Sequence, residues 1–213
     1  YEPLLDHVGH RNDLSYVIGE LIGELNVGHA YVGGGDRTQP ERYRTGLLGA
    51  DLQRTIAGSY RIQNILPGAN WSKELRSPLM DVGVSIEEGQ YITAVNGQPT
   101  ADMRNIYASL VGAAGTPTTL TIAEDADGEK GVRQVVVKPL SDESDLRYHA
   151  WVQERMRMAD ELSDSEVGYL HIPDMVQNGL SQFARYFYPQ LEKEALIIDV
   201  RGNGGGNVSP MII

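Results

Sequence analysis

The chain has 213 residues, of which 41% are hydrophobic and 22% are charged. This composition is typical of a globular protein, and the length allows one large domain or two modest ones. The net charge of −11 argues against a nucleic-acid partner, because an acidic surface repels phosphate backbones. The chain contains no cysteine, which excludes disulfides, thiol catalysis and cysteine-based zinc sites.

The sequence shows no pattern of a membrane span, a signal peptide or a complete metal site. No apolar run approaches the roughly 20 residues that a membrane span requires, so we expect no membrane span. Tyr1 opens directly into a polar, acidic stretch with no signal-peptide pattern, and the chain does not start with Met, so we expect a piece of a longer protein. His7 and His10 have a spacing compatible with a metal, but no third ligand is evident. We therefore expect a surface pair, with no metal and no other cofactor.

The first predicted element is an amphipathic helix over Asn12–Leu25, with Asn12 or Asp13 as its cap. Its apolar residues recur at spacings of three and one, which draws a single stripe. The stripe consists of Leu14, Val17, Ile18, Leu21, Ile22 and Leu25. His29 follows the helix, and Gly33–Asp36 then breaks regular structure.

Residues 42–140 have the pattern of short strands. The predicted strands are Tyr60–Leu66, Tyr91–Val95, Thr118–Ala123 and Val132–Val137. The pair Asn96-Gly97 is a strong turn signal, and Asp125–Glu129 suits a hairpin connection. A short helix is predicted over Asp102–Val111, with its apolar residues on one side.

The last third of the chain has the pattern of an α/β unit. Its predicted elements are the helix Leu146–Leu162, the strand Val167–Ile172, the helix Met175–Leu191 and the strand Ala195–Val200. The last strand is almost wholly apolar, which predicts a central strand covered on both faces. A glycine loop follows at its carboxyl end, where binding crevices gather in open α/β sheets.

Gly204, Gly205 and Gly206 form this loop. Without Cβ atoms the backbone approaches a ligand closely, and successive N–H groups hold an anion in one cavity. A helix that opens at Ser209–Met211 would add positive potential. Three interpretations of the loop follow. It binds a phosphate, it binds the oxyanion of acyl transfer, or it is a strand-to-helix turn with no ligand. Neither G-x-G-x-x-G nor a loop ending in Gly-Lys-Ser/Thr is present, which disfavours phosphate.

His29 lies just past the first helix and beside glycines. Such a histidine is, by itself, more typical of a structural or surface role than of catalysis. It acts as a general base only with a nucleophile within hydrogen-bond reach, and spacing alone assembles no Ser/His/Asp set. Ser209 is the only serine near the glycine loop, and its place at a helix start favours a cap over a nucleophile.

The middle region resembles a PDZ domain. Thr45–Leu52 resembles the carboxylate-binding loop of that fold, and Glu88–Gly97 resembles its signature strand, with Gln90 where Asp is usual. The loop residues are Leu47, Leu48, Gly49 and Ala50. PDZ domains take an extended peptide as an extra strand and hold its chain end with loop amides. The alternative is a PDZ fold used as a scaffold, with its groove filled by the chain itself.

Taken together, the chain resembles a tricorn-type protease, a family grouped with the C-terminal processing peptidases. The resemblance is carried by Gly23–Asp36, the PDZ-like insertion, Val167–Met175 and Asp199–Gly206. It implies an α+β or α/β fold, with an incomplete peptidase-like α/β core and an inserted PDZ-like, β-rich domain. Residues 1–41 are then the helical part of the core that carries the histidine, 42–140 the PDZ-like domain and 141–213 the α/β part of the core.

The same resemblance implies the site residues. His29 matches the general base of the family, and Gly205 matches the oxyanion hole, with Gly204 and Gly206 as adjacent candidates. His29 and the glycine loop are expected in one cleft. Where well-known members have a serine before the histidine, this chain has Gly28, so a carboxylate or a water would orient the imidazole. The nucleophilic serine and a later acidic residue have no counterpart before Ile213, so this chain alone is expected to be inactive.

The leading interpretation is therefore a serine peptidase that acts on short peptides, lacks its nucleophile here, and forms a homo-oligomer at full length. The resemblance implies a cytoplasmic location, with an exported or periplasmic one as the alternative. The competing interpretations are a non-catalytic PDZ-containing module that binds peptides and a small-anion binder that uses the glycine loop.

Overall fold

The computed structural model describes residues 1–37, 39–69, 72–73 and 75–213, which divide into two compact units, 1–42 and 43–213. The first unit consists of a 3-10 helix, Glu2–His7, helix α1, Arg11–Gly23, and an irregular segment. The helix is confirmed, but its apolar stripe is only partly covered: Val17 is 9% exposed and Leu21 is 51% exposed.

The predicted cap of α1 is wrong, because His10 caps the helix. The Nδ1 atom of His10 accepts a hydrogen bond from the Asp13 amide at 3.3 Å. The carboxylate of Asp13 accepts one from the His10 amide at 3.1 Å in return. This reciprocal pair satisfies two amides that a helix start otherwise leaves without partners. Asp13 therefore lies inside the first turn as the third helical residue.

The second unit begins with a six-stranded antiparallel sheet. Its strands are β1 (Ala50–Arg54), β2 (Tyr60–Ile65), β3 (Tyr91–Val95), β4 (Gln98–Pro99), β5 (Thr118–Ala123) and β6 (Arg133–Val137). The order along the sheet is β1-β2-β3-β5-β6, and β4 pairs with β3. The four strands expected in this region are present, and the PDZ-like, β-rich domain is confirmed.

Alternate residues of these strands build the core of the sheet, as the two-residue period of a strand requires. Its fully buried members include Leu48, Ile62, Ile92, Ile106, Leu110, Leu120 and Ile122. The short helix expected over Asp102–Val111 is present only in part, because Thr100–Asp102 and Ile106–Leu110 are separate 3-10 helices. The Asn105 side chain caps the second one by accepting from the Tyr107 amide at 2.8 Å. This cap starts the helix late and leaves room for little more than one turn.

The rest of the second unit is an α/β arrangement. Its elements are α2 (Ser144–Leu162), β7 (Val167–His171), α3 (Gln177–Phe187), a 3-10 turn (Tyr188–Gln190), β8 (Ala195–Asp199) and α4 (Ser209–Ile212). Strands β7 and β8 pair in parallel, with His171 opposite Asp199. Their core contains Val152, Leu170, Ile172, Phe183 and Tyr186. None of the helices in the described ranges combines the length and apolarity needed to cross a membrane.

Two expectations about this part are wrong. The helix predicted to reach Leu191 ends as an α-helix at Phe187, because Pro189 lacks the amide that continued helix hydrogen bonding requires. Strand β8 is not a central strand, since β7 is its only partner among the described residues. Ile197 and Ile198 are therefore about half exposed.

Asp174 determines where α3 begins. Its Oδ1 atom accepts hydrogen bonds from the amides of Val176 at 3.0 Å and Gly179 at 2.7 Å. Desolvation acts to raise the pKa of Asp174, but the amide hydrogen bonds from Gly179 and Val176 outweigh it and leave the pKa below its ordinary value. The carboxylate also lies at the positive end of the helix. Asp174 thus ties the turn after β7 to α3.

We expect Asp174→Ala to lower the free energy of unfolding by about 1 kcal/mol, the usual cost of a lost helix cap. Asp174→Asn retains an acceptor oxygen for both amides and is expected to lose less. Urea unfolding at neutral pH measures both changes, with Asp127→Ala at an exposed position as the control. Equal losses for the alanine and asparagine variants would contradict the capping role.

Candidate active site

Asp199 ends β8 and opens the loop. Its side chain is 6% exposed and accepts a hydrogen bond from the Tyr169 hydroxyl at 2.7 Å. Arg201 approaches the same carboxylate with its Nε atom at 2.9 Å and its backbone amide at 2.9 Å. The side-chain bonds from Arg201 hold the pKa of Asp199 well below its ordinary value against the opposing effect of burial, with smaller contributions from the Arg201 amide and Tyr169. Burial, followed by the Asp199 hydrogen bond, raises the pKa of Tyr169 to about 12.

His171 ends β7 opposite Asp199 and is 5% exposed. Its Nε2 atom lies 2.8 Å from the Arg201 carbonyl oxygen, and its Nδ1 atom lies 2.9 Å from the Tyr148 hydroxyl. A carbonyl oxygen only accepts, so Nε2 carries a hydrogen. The edge of His171 meets the Trp151 ring at a centroid distance of 4.9 Å and 88° between planes. The ring is therefore fixed on three sides.

The loop after Arg201 is bonded to the segment that follows β7. The Asn203 side chain donates to the Ile172 carbonyl at 2.9 Å and accepts from the Gly205 amide at 2.7 Å. The Met175 amide donates to the Gly205 carbonyl at 2.9 Å, and the Asn207 amide donates to the Met175 carbonyl at 2.7 Å. The two sequence motifs around β7 and β8 thus form one hydrogen-bonded structure.

The three candidate oxyanion donors differ in their surroundings. The Gly205 amide is bonded to Asn203, whereas the amides of Gly204 and Gly206 form no hydrogen bond within the described part of the chain. Gly205 has a φ of +83° and Gly206 a φ of +148°, conformations that L side chains rarely adopt. A Cβ on Gly206 would also overlap the Met175 carbonyl, while one on Gly204 or Gly205 would meet no atom within 4 Å. Glycine is therefore required sterically at Gly206 and conformationally at Gly205.

The helix expected at the end of this loop contributes little. Ser209 is the first residue of α4, and Val208 occupies the cap position without a capping side-chain bond, so the expectation that Ser209 caps the helix is wrong. Because α4 has only four residues, its aligned peptide dipoles add little potential. Any anion at the loop would rely on the loop amides.

His29 lies in the first unit, in a turn after α1. Its φ of +62° is in the left-handed region, which a residue with a side chain adopts only at some cost. The imidazole is exposed and meets Tyr31 edge-on at a centroid distance of 6.4 Å. No hydrogen bond to the ring is formed by residues that the structure describes. A shared cleft for His29 and the glycine loop stays a prediction, as do the roles of both.

The PDZ loop binds a carboxylate of its own chain. The Gly49 amide donates to Glu143 Oε2 at 3.1 Å, and Arg147 contacts the same carboxylate at 2.6 Å. Leu146, fully buried, lies beside Gly49. The Leu47 amide donates to the Leu140 carbonyl at 2.9 Å. An internal carboxylate and an adjacent leucine therefore occupy the place expected for a peptide end. Peptide binding by Leu47, Leu48, Gly49 and Ala50 stays a prediction.

A metal centre does not emerge from the geometry. Within residues 1–37, 39–69, 72–73 and 75–213, no group of three His, Asp or Glu side chains is arranged to hold a metal ion. His10 caps α1 through its Nδ1 atom.

Comparisons with known proteins agree with this architecture. The family profile described as Tricorn protease PDZ domain matches residues 46–142, and that of Peptidase family S41 matches residues 166–213. Tricorn protease homolog 1 of Streptomyces coelicolor is 42% identical over 215 residues, which cover all of this chain and 20% of that protein. Tricorn protease of Thermoplasma volcanium is 33% identical, again over all of this chain and 20% of its own.

A solved structure supports the same relationship. The crystal structure of the tricorn protease matches with a TM-score of 0.80 and 32% identity, over 96% of this chain and 20% of that one. This chain therefore spans about a fifth of the length of the relatives that it matches.

We expect Glu143→Ala to free the Gly49 amide, so that a short peptide with a C-terminal leucine and a free carboxylate binds more tightly than to the unchanged chain. Fluorescence anisotropy measures the affinities, with a C-terminally amidated peptide as the ligand control. Glu161→Ala, at an exposed position near the end of α2, is the matched variant. Tight binding of the peptide by the unchanged chain would show that Glu143 does not compete for the loop.

We expect Asp199→Asn to lower the free energy of unfolding at pH 7 by about 1.5 kcal/mol, the lower end for hydrogen bonds to a charged group, because Arg201 is 73% exposed to screening solvent. The pKa of Asp199 is depressed in the folded chain. The contribution of its charge to the free energy of unfolding is therefore complete above the ordinary aspartate pKa of about 3.9, and it is lost as the pH falls below that value. The difference in unfolding free energy between the unchanged chain and Asp199→Asn should therefore become smaller below pH ~4.

Urea unfolding of both proteins at pH 7 and at pH 3 checks this dependence. Asp127→Asn, at an exposed aspartate, is the control for general effects of acid. A difference in unfolding free energy that does not change with pH would contradict a stabilising role for the Asp199 charge.

Proposed function

This chain belongs to the tricorn-type proteases, and we propose that it supplies the general base and the oxyanion loop of a serine peptidase that hydrolyses short peptides. The observation that carries this proposal is the glycine loop after β8. The Asn203 side chain ties this loop to the Ile172 carbonyl and accepts from the Gly205 amide, while the amides of Gly204 and Gly206 form no hydrogen bond among the described residues. Acyl transfer uses such preorganised amides to stabilise a developing negative charge.

In this proposal, His29 accepts the proton of the nucleophile and returns it to the leaving amine. Its exposed ring leaves both nitrogen atoms accessible to a nucleophile and to an orienting group. Gly28 offers no side chain for orientation, so a carboxylate or a water holds the second nitrogen. The turn around His29 places the ring outside the apolar stripe of α1. This position suits a catalytic residue, because the ring takes no part in packing.

The oxyanion is stabilised at Gly205 with the help of the adjacent amides of Gly204 and Gly206. The Gly205 amide already has a partner in Asn203, so the oxyanion joins or replaces the Asn203 oxygen as its acceptor. A charged oxygen accepts more strongly than a neutral amide oxygen, which favours this exchange only when the tetrahedral intermediate forms. The loop therefore discriminates between the ground state and the transition state.

We place the nucleophilic serine and the acidic residue in a part of the protein outside these 213 residues. The support for this is the length of the relatives, of which the chain spans about a fifth. The mechanism requires no metal or organic cofactor, because its steps are proton transfers, an attack by a side-chain oxygen that releases the amine, and an attack by water on the resulting acyl-enzyme. Peptides as substrates, a homo-oligomeric assembly and a cytoplasmic location complete the proposal.

A non-catalytic peptide-binding module is the competing function. The internal bond between Gly49 and Glu143 weighs against it, because the loop that would capture a peptide end is already in contact with a carboxylate. We therefore assign the PDZ-like domain a subordinate role in the peptidase.

We expect His29→Ala in the full-length protein to lower turnover of a fluorogenic peptide by roughly 10⁴-fold or more, as when members of a catalytic triad are removed. His7→Ala, at another exposed histidine of the first unit, should leave turnover unchanged. Melting temperature should change little in both variants. An active His29→Ala enzyme would refute the base assignment, and a loss of activity that only follows a lower melting temperature would indicate a structural role.

The isolated 213-residue chain is expected to hydrolyse nothing, since it lacks the proposed nucleophile. Hydrolysis by this chain that Ser209→Ala abolishes would show that the nucleophile had been misassigned.

A further inference from the structure

His171 anchors the base of the glycine loop although it lies outside it. The Nε2 atom contacts the Arg201 carbonyl at 2.8 Å, four residues before Gly205. The carbonyl of Arg201 and the amide of Gly202 belong to one rigid peptide plane. Holding that carbonyl therefore sets the direction in which the chain enters the loop. Asn203 provides the second anchor, on the Ile172 carbonyl.

The orientation of His171 follows from its two partners. Nε2 donates to the Arg201 carbonyl, and Nδ1 shares a hydrogen bond with the Tyr148 hydroxyl at 2.9 Å. Burial, together with neighbouring tyrosines, raises the pKa of Tyr148 above its ordinary value, so this hydroxyl keeps its proton at neutral pH. The Arg201 carbonyl thus requires the proton on Nε2, and Tyr148 holds the ring in the orientation that reaches the loop.

Packing alone does not account for a histidine at this place. The residue is 5% exposed, and its ring packs against the aromatic rings of Tyr148 and Trp151. A buried polar ring costs free energy unless its nitrogens are bonded, whereas an aliphatic side chain would fill a similar volume without that cost. What the imidazole adds is one directional bond to the backbone of the loop.

We propose that His171, oriented by Tyr148, is a positioning residue that directs the loop amides at Gly204–Gly206 toward the oxyanion. The inference rests on the proposed peptidase function for its catalytic consequence. His171 itself is too deeply buried to touch a substrate. Its effect is exerted through the Arg201 peptide, so it concerns transition-state stabilisation and not substrate affinity.

The test compares His171→Gln with His171→Leu in the full-length protein. The Gln amide nitrogen reaches a position similar to Nε2 and donates to the Arg201 carbonyl, whereas Leu fills the space without a donor. We expect kcat to fall about 100-fold in His171→Leu, the order of loss that a displacement of roughly 1 Å causes, with KM nearly unchanged. His171→Gln should recover at least a tenth of the wild-type kcat, with a similar melting temperature to His171→Leu.

Two further variants sharpen the comparison. Tyr148→Phe removes the bond to Nδ1 and should lower kcat roughly 2- to 10-fold, the equivalent of one neutral hydrogen bond. His149→Gln changes a partly buried histidine of the same helix that contacts Tyr186, and it should leave kcat unchanged. A peptide aldehyde, which forms a tetrahedral adduct, should lose affinity in parallel with kcat.

Hydrogen exchange of residues 201–208 reports on the loop without any need for catalysis. We expect faster exchange there in His171→Leu than in His171→Gln. If the wild-type protein hydrolyses no peptide but this difference is present, the proposed function fails and the positioning role stands. If the wild type is active and both His171 variants lose kcat only in proportion to their melting temperatures, with equal exchange in the loop, the inference is overturned while the peptidase function stands.

Discussion

The α/β part of this protein depends on the parallel pairing of β7 with β8. The register of that pair places His171 opposite Asp199. From this alignment follow the bond between His171 and the Arg201 carbonyl and the bond between Asn203 and the Ile172 carbonyl. A shift of one residue would turn every side chain of β8 to the other face and would break both bonds. The conformation of the glycine loop is therefore a consequence of strand register.

The loop also illustrates how a polar network is kept in a largely apolar environment. Asp199, Tyr169 and Arg201 satisfy one another, and Tyr148, His171 and the Arg201 carbonyl form a second group beside them. Arg201 belongs to both groups, through its guanidinium in the first and its carbonyl in the second. Because a buried polar group without a partner is costly, such networks specify a single arrangement when they are complete. This rigidity is what an oxyanion site requires, since its donors must be in place before the charge develops.

The PDZ-like domain is joined to the α/β part of the protein through its loop. Its core combines strand residues with residues of the connecting segments, and the Gly49 amide of its loop bonds Glu143, just before α2. Arg147 joins that carboxylate to Asp51 at the start of β1. The loop is thus connected by these polar contacts to the start of α2. Helix α2 also carries Tyr148 and Trp151.

The sequence by itself determined the class of fold, the four main strands of the PDZ-like sheet, and the existence of α1, α2, α3, β7 and β8. Periodicity and turn residues are local signals, and they were sufficient for these elements. The roles of His29 and Gly205 came from the resemblance to the tricorn-type proteases, since residue type and order alone favoured a structural histidine and left a ligand-free turn open. Element ends were less predictable: His10 replaced Asn12 or Asp13 as the cap, and Asn105 caps a 3-10 helix that begins later than the helix expected from Asp102.

Only the tertiary structure decided the contacts between residues distant in sequence. The apolar run of β8 predicted a covered strand, yet its exposure depends on how many strands pair with it, which no local pattern encodes. His171 drew no attention as a site residue, because its partners Tyr148 and Arg201 lie 23 and 30 residues away. The self-occupied PDZ loop required Glu143, 94 residues from Gly49, to return to it. Local preferences are set by neighbours along the chain, whereas hydrogen bonds of this range exist only once the strands have paired and the helices have packed on them.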